Sequence, residues 1–185
     1  FSVKNALDYL GVENCVTGDR EEIEKADGLI LPGVGAFPDA MDMLEKKGLT
    51  EVIRREALKK PLLGICLGMQ LLFEKGFEFK ETEGLGLIPG QVIPVDSKGL
   101  KIPHMGWNDL RVLNPCVMTE DMEEPYVYFV HSFRAETEDE NISCYTVYGE
   151  RIPALVHRGL VYGAQFHPEK SGKTGLNMLE NFARL

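Results

Sequence analysis

Apolar positions along this chain change period several times. In "SVKNALDYLG", Val3, Ala6, Leu7 and Leu10 fall at helical spacing, and Gly11 follows as a residue suited to a helix end. "DGLILPGVG" is a buried strand running into a glycine loop. "AFPDAMDMLEKKGLTEVIRREALKK" returns to helical periodicity, broken near Gly48. "PLLGI" then reads as strand and "LGMQLLFEKG" as helix, and this alternation predicts a mainly parallel sheet covered by helices.

From Gly90 onward the runs "QVIPV", "WNDLRVL", "YVYFVHSF", "SCYTVYG" and "PALVHRGLVYGAQF" are separated by Gly, Pro and Asn, which predicts hairpins or a mixed sheet. The final stretch "KTGLNMLENFARL" places Leu176, Leu179, Phe182 and Ala183 on one helical face. No repeat, low-complexity tract or linker divides the sequence, so 1–185 is read as a single domain.

Composition narrows the range of partners. At 185 residues and 44% hydrophobic, the chain can bury a core. A net charge of −9 disfavours a broad nucleic-acid or anionic-membrane surface, which leaves a small molecule or another protein. No run of 18 apolar residues occurs and the start lacks a signal-peptide pattern, so a cytoplasmic, non-membrane protein is expected. Cys15, Cys66, Cys116 and Cys144 include no C-x-x-C pair, and no His, Cys and acidic group has metal spacing. Neither a metal nor a cofactor is expected.

Cys66 stands apart from the other three cysteines. In "KPLLGICLGMQLLF" it sits between glycines where strand gives way to helix. A residue at such a turn projects from the carboxyl edge of the sheet, where open α/β folds bind ligands. Gly64 and Gly68 are expected to leave room for the turn and for a substrate. The helix that follows presents its positive end to the sulfur, and the Leu67 N–H is available to an oxyanion. Taken alone, a buried cysteine in a glycine-tolerant turn explains the stretch equally well. A nucleophile also needs a base and a group to orient it. "GAQFHPEKS" offers both, because His167 and Glu169 are two residues apart and face the same way if the segment is extended. The three residues together favour a Cys-His-Glu triad.

"PGVGAF", "GICLGMQLL" and "FHPEKS", in this order and at this separation, resemble class I glutamine amidotransferases, and the resemblance runs over essentially the whole chain. It implies a three-layer, mainly parallel, doubly wound sheet of flavodoxin-like type, with antiparallel strands in the C-terminal half. "GLGLIPG", "KIPHMGWN", "YFVHSF", Lys170-Ser171 and Met69 resemble the glutaminase branch that serves imidazole glycerol phosphate synthesis in histidine biosynthesis. On that resemblance Cys66 attacks the glutamine side-chain amide, His167 moves the protons and Glu169 holds the imidazole. A second oxyanion donor would come from a backbone N–H at Val34 or Gly35. Gly35, Gln70, Glu78, Ser132 and Phe133 would surround glutamine, and Gln70 lies four residues after Cys66 on the same helical face.

The implied partner is a (β/α)8-barrel cyclase subunit, forming a heterodimer and contacting Trp107, Tyr128 and Lys170. Trp107 is the single tryptophan, and its neighbours Pro103, Gly106 and Asn108 predict a turn at an interface rather than a core strand. His104 and His131 read as structural or interface residues, and His157 as a residue of a strand near a turn. The family opens with a short apolar strand and a turn, whereas this sequence begins at "FSVKNAL" inside the first helix, so one strand is expected to be missing from its start. A glutaminase of another pathway, and a non-catalytic binding domain on the same fold, are the alternatives.

Overall fold

The computed structural model describes residues 2–185. Helix α1 (Ser2–Tyr9) buries Ala6 and Leu7. It ends at Gly11, whose φ of +71° lets the Val12 N–H reach back to the Leu7 carbonyl at 3.0 Å. Helix α2 (Arg20–Lys25) starts at Asp19, whose carboxylate accepts the Glu21 and Glu22 N–H groups. Strand β1 (Leu29–Gly33) leads to α3 (Phe37–Lys46) and α4 (Thr50–Glu56), which are separated at Gly48 as the periodicity predicts. Strand β2 (Leu62–Cys66) follows.

Helix α5 (Leu67–Gln70) is much shorter than the pattern predicted. Leu71, Leu72 and Phe73 are all almost fully buried, so the run has no polar face to turn to water. The chain instead extends into β3 (Phe73–Gly76), which pairs in parallel with β5 (Ile88–Pro94) and antiparallel with β4 (Thr82–Glu83). The remaining strands are β6 (His104–Asp109), β7 (Arg111–Val112), β8 (Tyr126–His131), β9 (Phe133–Glu136), β10 (Ile142–Tyr148), β11 (Glu150–Arg158) and β12 (Val161–Ala164). Helix α6 (Gly172–Ala183) closes the chain. Its inner face carries Met178, Leu179 and Phe182, whereas Ala183, expected there, is exposed.

The main sheet has six strands in the order β1-β2-β12-β11-β10-β7. Strands β1, β2 and β12 run parallel, and β12 through β7 alternate antiparallel. The parallel part therefore comes from the β–loop–α half of the sequence plus the strand before His167, and the antiparallel part from the hairpin-rich half. Successive residues of β2 face opposite sides of the sheet. Leu62 joins a core beneath α3, α4 and α5 with β3 and β5, while Leu63 and Ile65 join a second core beneath α1 and α6. Helices on both faces of a largely buried sheet make a three-layer α/β fold. Strand β9 adds to β5, and β6 pairs with β8 as a separate two-stranded ribbon. Among the described residues no helix is long and apolar enough to cross a membrane.

Candidate active site

Register brings the three sequence motifs together. Gly33 lies opposite Cys66, and Ala164 lies opposite Ile65. The loop after β1, the turn after β2 and the segment after β12 therefore all leave the carboxyl edge of the parallel strands. Cys66 has φ of 56° and ψ of −113°, a conformation that a side chain rarely adopts. Packing of α5 enforces it. A Cβ on Gly64 would stand 2.5 Å from the Gly68 carbonyl oxygen, and one on Gly68 would overlap the Leu31 carbonyl. These glycines thus let α5 sit directly on β1 and β2. That corrects the expectation that they leave room for a substrate. The Cys66 Sγ lies 3.8 Å from the Val130 carbonyl, which places the end of β8 beside the nucleophile candidate.

The imidazole of His167 is fixed from three directions. Its backbone N–H donates to the Tyr128 carbonyl at 2.9 Å. Its carbonyl accepts the Ser171 hydroxyl at 2.6 Å, and that hydroxyl accepts the Tyr128 N–H at 2.9 Å. Nδ1 pairs with Glu169 Oε1 at 2.9 Å, and both side chains are nearly buried. The Cys66 side chain and then Glu169 push the imidazole up to about 9, against the opposing effect of burial. Both neighbours thus favour the protonated ring, which is paired with a buried carboxylate. Glu169 Oε2 has no hydrogen-bond partner among the described residues, so this carboxylate has little but the imidazolium to balance it.

The other candidates lie around this edge. Leu67 is buried at the first position of α5, directly after Cys66. Val34 is exposed, and Gly35 has φ of +98° with open space around it. Gln70 is buried, and its Nε2 donates to the Phe133 carbonyl at 3.2 Å and to Gln165 Oε1 at 3.0 Å. Ser132 and Phe133 are both half-buried; Ser132 connects β8 to β9, Phe133 opens β9, and the Ser132 carbonyl accepts the Val95 N–H. Glu78 Oε2 accepts the Phe37 N–H at 2.8 Å, which anchors the start of α3 just past Gly35. One of its oxygens is thus already engaged. Gln165 and Ser171 were not singled out by sequence reasoning as contributors to the site. The local signal for Gln165 is only its position within "GAQFHPEKS", and Ser171 stands there as part of the Lys170-Ser171 resemblance, with no role attached.

Comparison with known proteins agrees with this fold. Residues 2–185 match the family described as Glutamine amidotransferase class-I. The chain belongs to that family. An amidotransferase relative from Streptococcus gordonii, named imidazole glycerol phosphate synthase subunit HisH, is 53% identical over 184 residues, covering 98% of this chain and 88% of the relative. A protein of the same name from Bacillus cereus is 50% identical over 183 residues, covering 98% and 87%. A crystal structure titled as a glutamine amidotransferase superposes with a TM-score of 0.77 at 22% identity, covering all of this chain and 93% of the other. That likeness shows the shared fold.

On this amidotransferase, the expected interface residues lie next to the triad candidates. Trp107 is in the middle of β6 rather than in a turn, which corrects the expectation from its neighbours. Gly106 is accommodated within the strand at φ of +126°. The indole is 58% exposed, so it does not fill the core. It meets Tyr128 edge-on at 6.2 Å between ring centres, and its far edge approaches Gly172. Lys170 is exposed on the turn between His167 and α6. Met105 and Tyr126 are also exposed on the same ribbon.

Proposed function

We propose that this chain is the glutaminase subunit of imidazole glycerol phosphate synthase, acting in histidine biosynthesis. The observation that carries the reading is a strained cysteine elbow whose side chain acts directly on His167, a histidine that is itself paired with a buried glutamate. In this mechanism Cys66 Sγ attacks the side-chain amide carbon of glutamine. The tetrahedral oxyanion is met by the Leu67 N–H and by an N–H at Val34 or Gly35. His167 carries the proton taken from the thiol and delivers it as the C–N bond breaks and ammonia leaves. Water, deprotonated by His167, then attacks the thioester, and glutamate departs as the Cys66 sulfur is restored. Glu169 keeps Nδ1 protonated and stabilises the imidazolium throughout.

Gly35, Gln70, Glu78, Ser132 and Phe133 surround the substrate in this reading. The free oxygen of Glu78 is suited to the α-ammonium, and the backbone at Ser132 and Phe133 to the α-carboxylate. Ammonia released into neutral water is largely protonated and no longer nucleophilic, so a synthase partner must receive it through a sheltered path. The partner proposed is a (β/α)8-barrel cyclase, docked in the cytoplasm over Trp107, Tyr128 and Lys170. The test is glutamate formation from glutamine, measured with and without the cyclase and its own substrate. Partner-stimulated glutamate release supports the reading. No release under any of these conditions overturns it.

A further inference from the structure

A continuous chain of hydrogen bonds, centred on a buried histidine pair, runs beside the 132–133 backbone. His104 and His131 face each other across β6 and β8, and both are almost fully buried. His131 Nδ1 lies 2.8 Å from the Phe133 carbonyl, and His131 Nε2 lies 2.9 Å from His104 Nδ1. His104 Nε2 lies 3.3 Å from Asn108 Nδ2. The orientation of the Asn108 amide is set by two backbone groups, because its Oδ1 accepts the Asp109 N–H and its Nδ2 donates to the Val147 carbonyl.

Chemistry fixes the direction of every bond in the chain. A carbonyl only accepts, so His131 carries its proton on Nδ1, and its bare Nε2 must accept from His104 Nδ1–H. That leaves His104 Nε2 as the acceptor for Asn108. The imidazole of His104 is stacked between Phe129, 4.7 Å away, and Tyr148, 4.1 Å away, so it cannot swing out of the chain. At the far end, the Phe133 carbonyl accepts from both His131 and Gln70. Gln70 Nε2 has both its hydrogens engaged, by Phe133 and Gln165, and so meets a ligand only through its acceptor oxygen.

We propose that His131, braced by His104, is a positioning residue for glutamine binding, because their paired Nδ1–H tautomers hold the Phe133 carbonyl between β8 and the Gln70 side chain. This rests on the substrate site proposed above. Both ring nitrogens of His131 are engaged, by the Phe133 carbonyl and by His104, so it acts on the substrate through the backbone. It fixes the 132–133 backbone, and through Phe133 it fixes which face Gln70 shows the substrate. A glycine or serine pair at these buried positions would leave the carbonyl held by Gln70 alone.

The test uses the assembled synthase and three variants. His131→Phe keeps an aromatic ring but removes the donor, and should raise KM for glutamine by roughly fivefold, the worth of one buried hydrogen bond, with kcat within about twofold of the wild type. His131→Asn places an amide N–H near the Nδ1 position and should recover most of that loss. His104→Phe keeps the stack and frees His131 to change tautomer, giving an intermediate KM. Nitrogen NMR of the unsubstituted protein at neutral pH needs no variant, and should show both rings as the Nδ1–H tautomer. Unchanged KM in His131→Phe, equal losses in the Phe and Asn variants, or an Nε2–H tautomer at either ring overturns the inference. Wild-type protein that releases no glutamate contradicts the proposed function instead, so the two failures are distinguishable.

Discussion

Cys66 offers a direct test of the elbow, because its backbone conformation and its chemistry can be separated. The pair to compare is Cys66→Gly and Cys66→Ala. Both remove the sulfur and should abolish glutamine hydrolysis, but only alanine keeps a Cβ at φ of 56° and ψ of −113°. A side chain held in such a sparsely populated region costs about 1–3 kcal/mol. Glycine normally loses to alanine by about 0.5–1 kcal/mol through its freer unfolded chain. The strain exceeds that penalty over most of the range, so the glycine variant should be the more stable of the two by about 1 kcal/mol. Urea unfolding followed by circular dichroism reads the difference, which corresponds to about 2–4 °C in Tm for a chain of this size. A glycine variant less stable than the alanine variant by the ordinary penalty would show that the turn is unstrained and would refute the elbow.

Further outcomes follow from neighbouring contacts. Gly68→Ala forces a methyl into the Leu31 carbonyl and should destabilise the fold by at least about 2 kcal/mol, so an unaltered urea midpoint would contradict the packing of α5 on β1. His167 has a folded pKa raised from 6.5 to about 9, so its stabilising contribution is fully present below pH 6.5 and is lost as pH rises through about 9. The stability gap between wild type and His167→Ala should therefore narrow over that window, and a gap that widens with pH is the opposite result. Glu169→Gln should lower the His167 pKa seen by NMR and reduce turnover about tenfold or more, whereas His167→Ala should eliminate it; near-normal rates in both variants would exclude the triad. The exposed indole of Trp107 should shift its emission to shorter wavelength when the partner docks, read with a tryptophan-free partner, and Trp107→Ala should weaken docking. Unchanged emission at saturating partner would remove Trp107 from the interface.

The motifs of the site were legible because each sits where local pattern changes. Strand, glycine turn and helix around Cys66 mark a sheet edge, and the apolar run before His167 marks a strand end, so their convergence needed only parallel pairing of β1, β2 and β12. Periodicity failed where burial is complete. Leu71, Leu72 and Phe73 have no polar alternation to distinguish a helix from a buried strand, and the structure resolves them in favour of an early exit into β3. Trp107 was misplaced in a turn because Pro103, Gly106 and Asn108 carry the same signals at a strand entrance and at an irregular strand position. The His104–His131 pair was out of reach for a different reason. It depends on the register of β6 against β8, residues 27 apart in sequence, and local patterning does not specify that register. Gln165 and Ser171 were likewise hidden, because their partners Gln70, Tyr128 and His167 meet only after the sheet closes.

The central claim is that Cys66 is the sulfur that attacks glutamine, with His167 and Glu169 behind it. An electrophilic glutamine analogue, added to the protein with its synthase partner and followed by peptide mass spectrometry, tests it most directly, since the chain has only four cysteines. The account predicts one equivalent of label on the peptide carrying Cys66, loss of glutaminase activity in step with labelling, and protection by glutamine. Label on Cys15, Cys116 or Cys144 while Cys66 stays free, or full activity after Cys66 is modified, would contradict it.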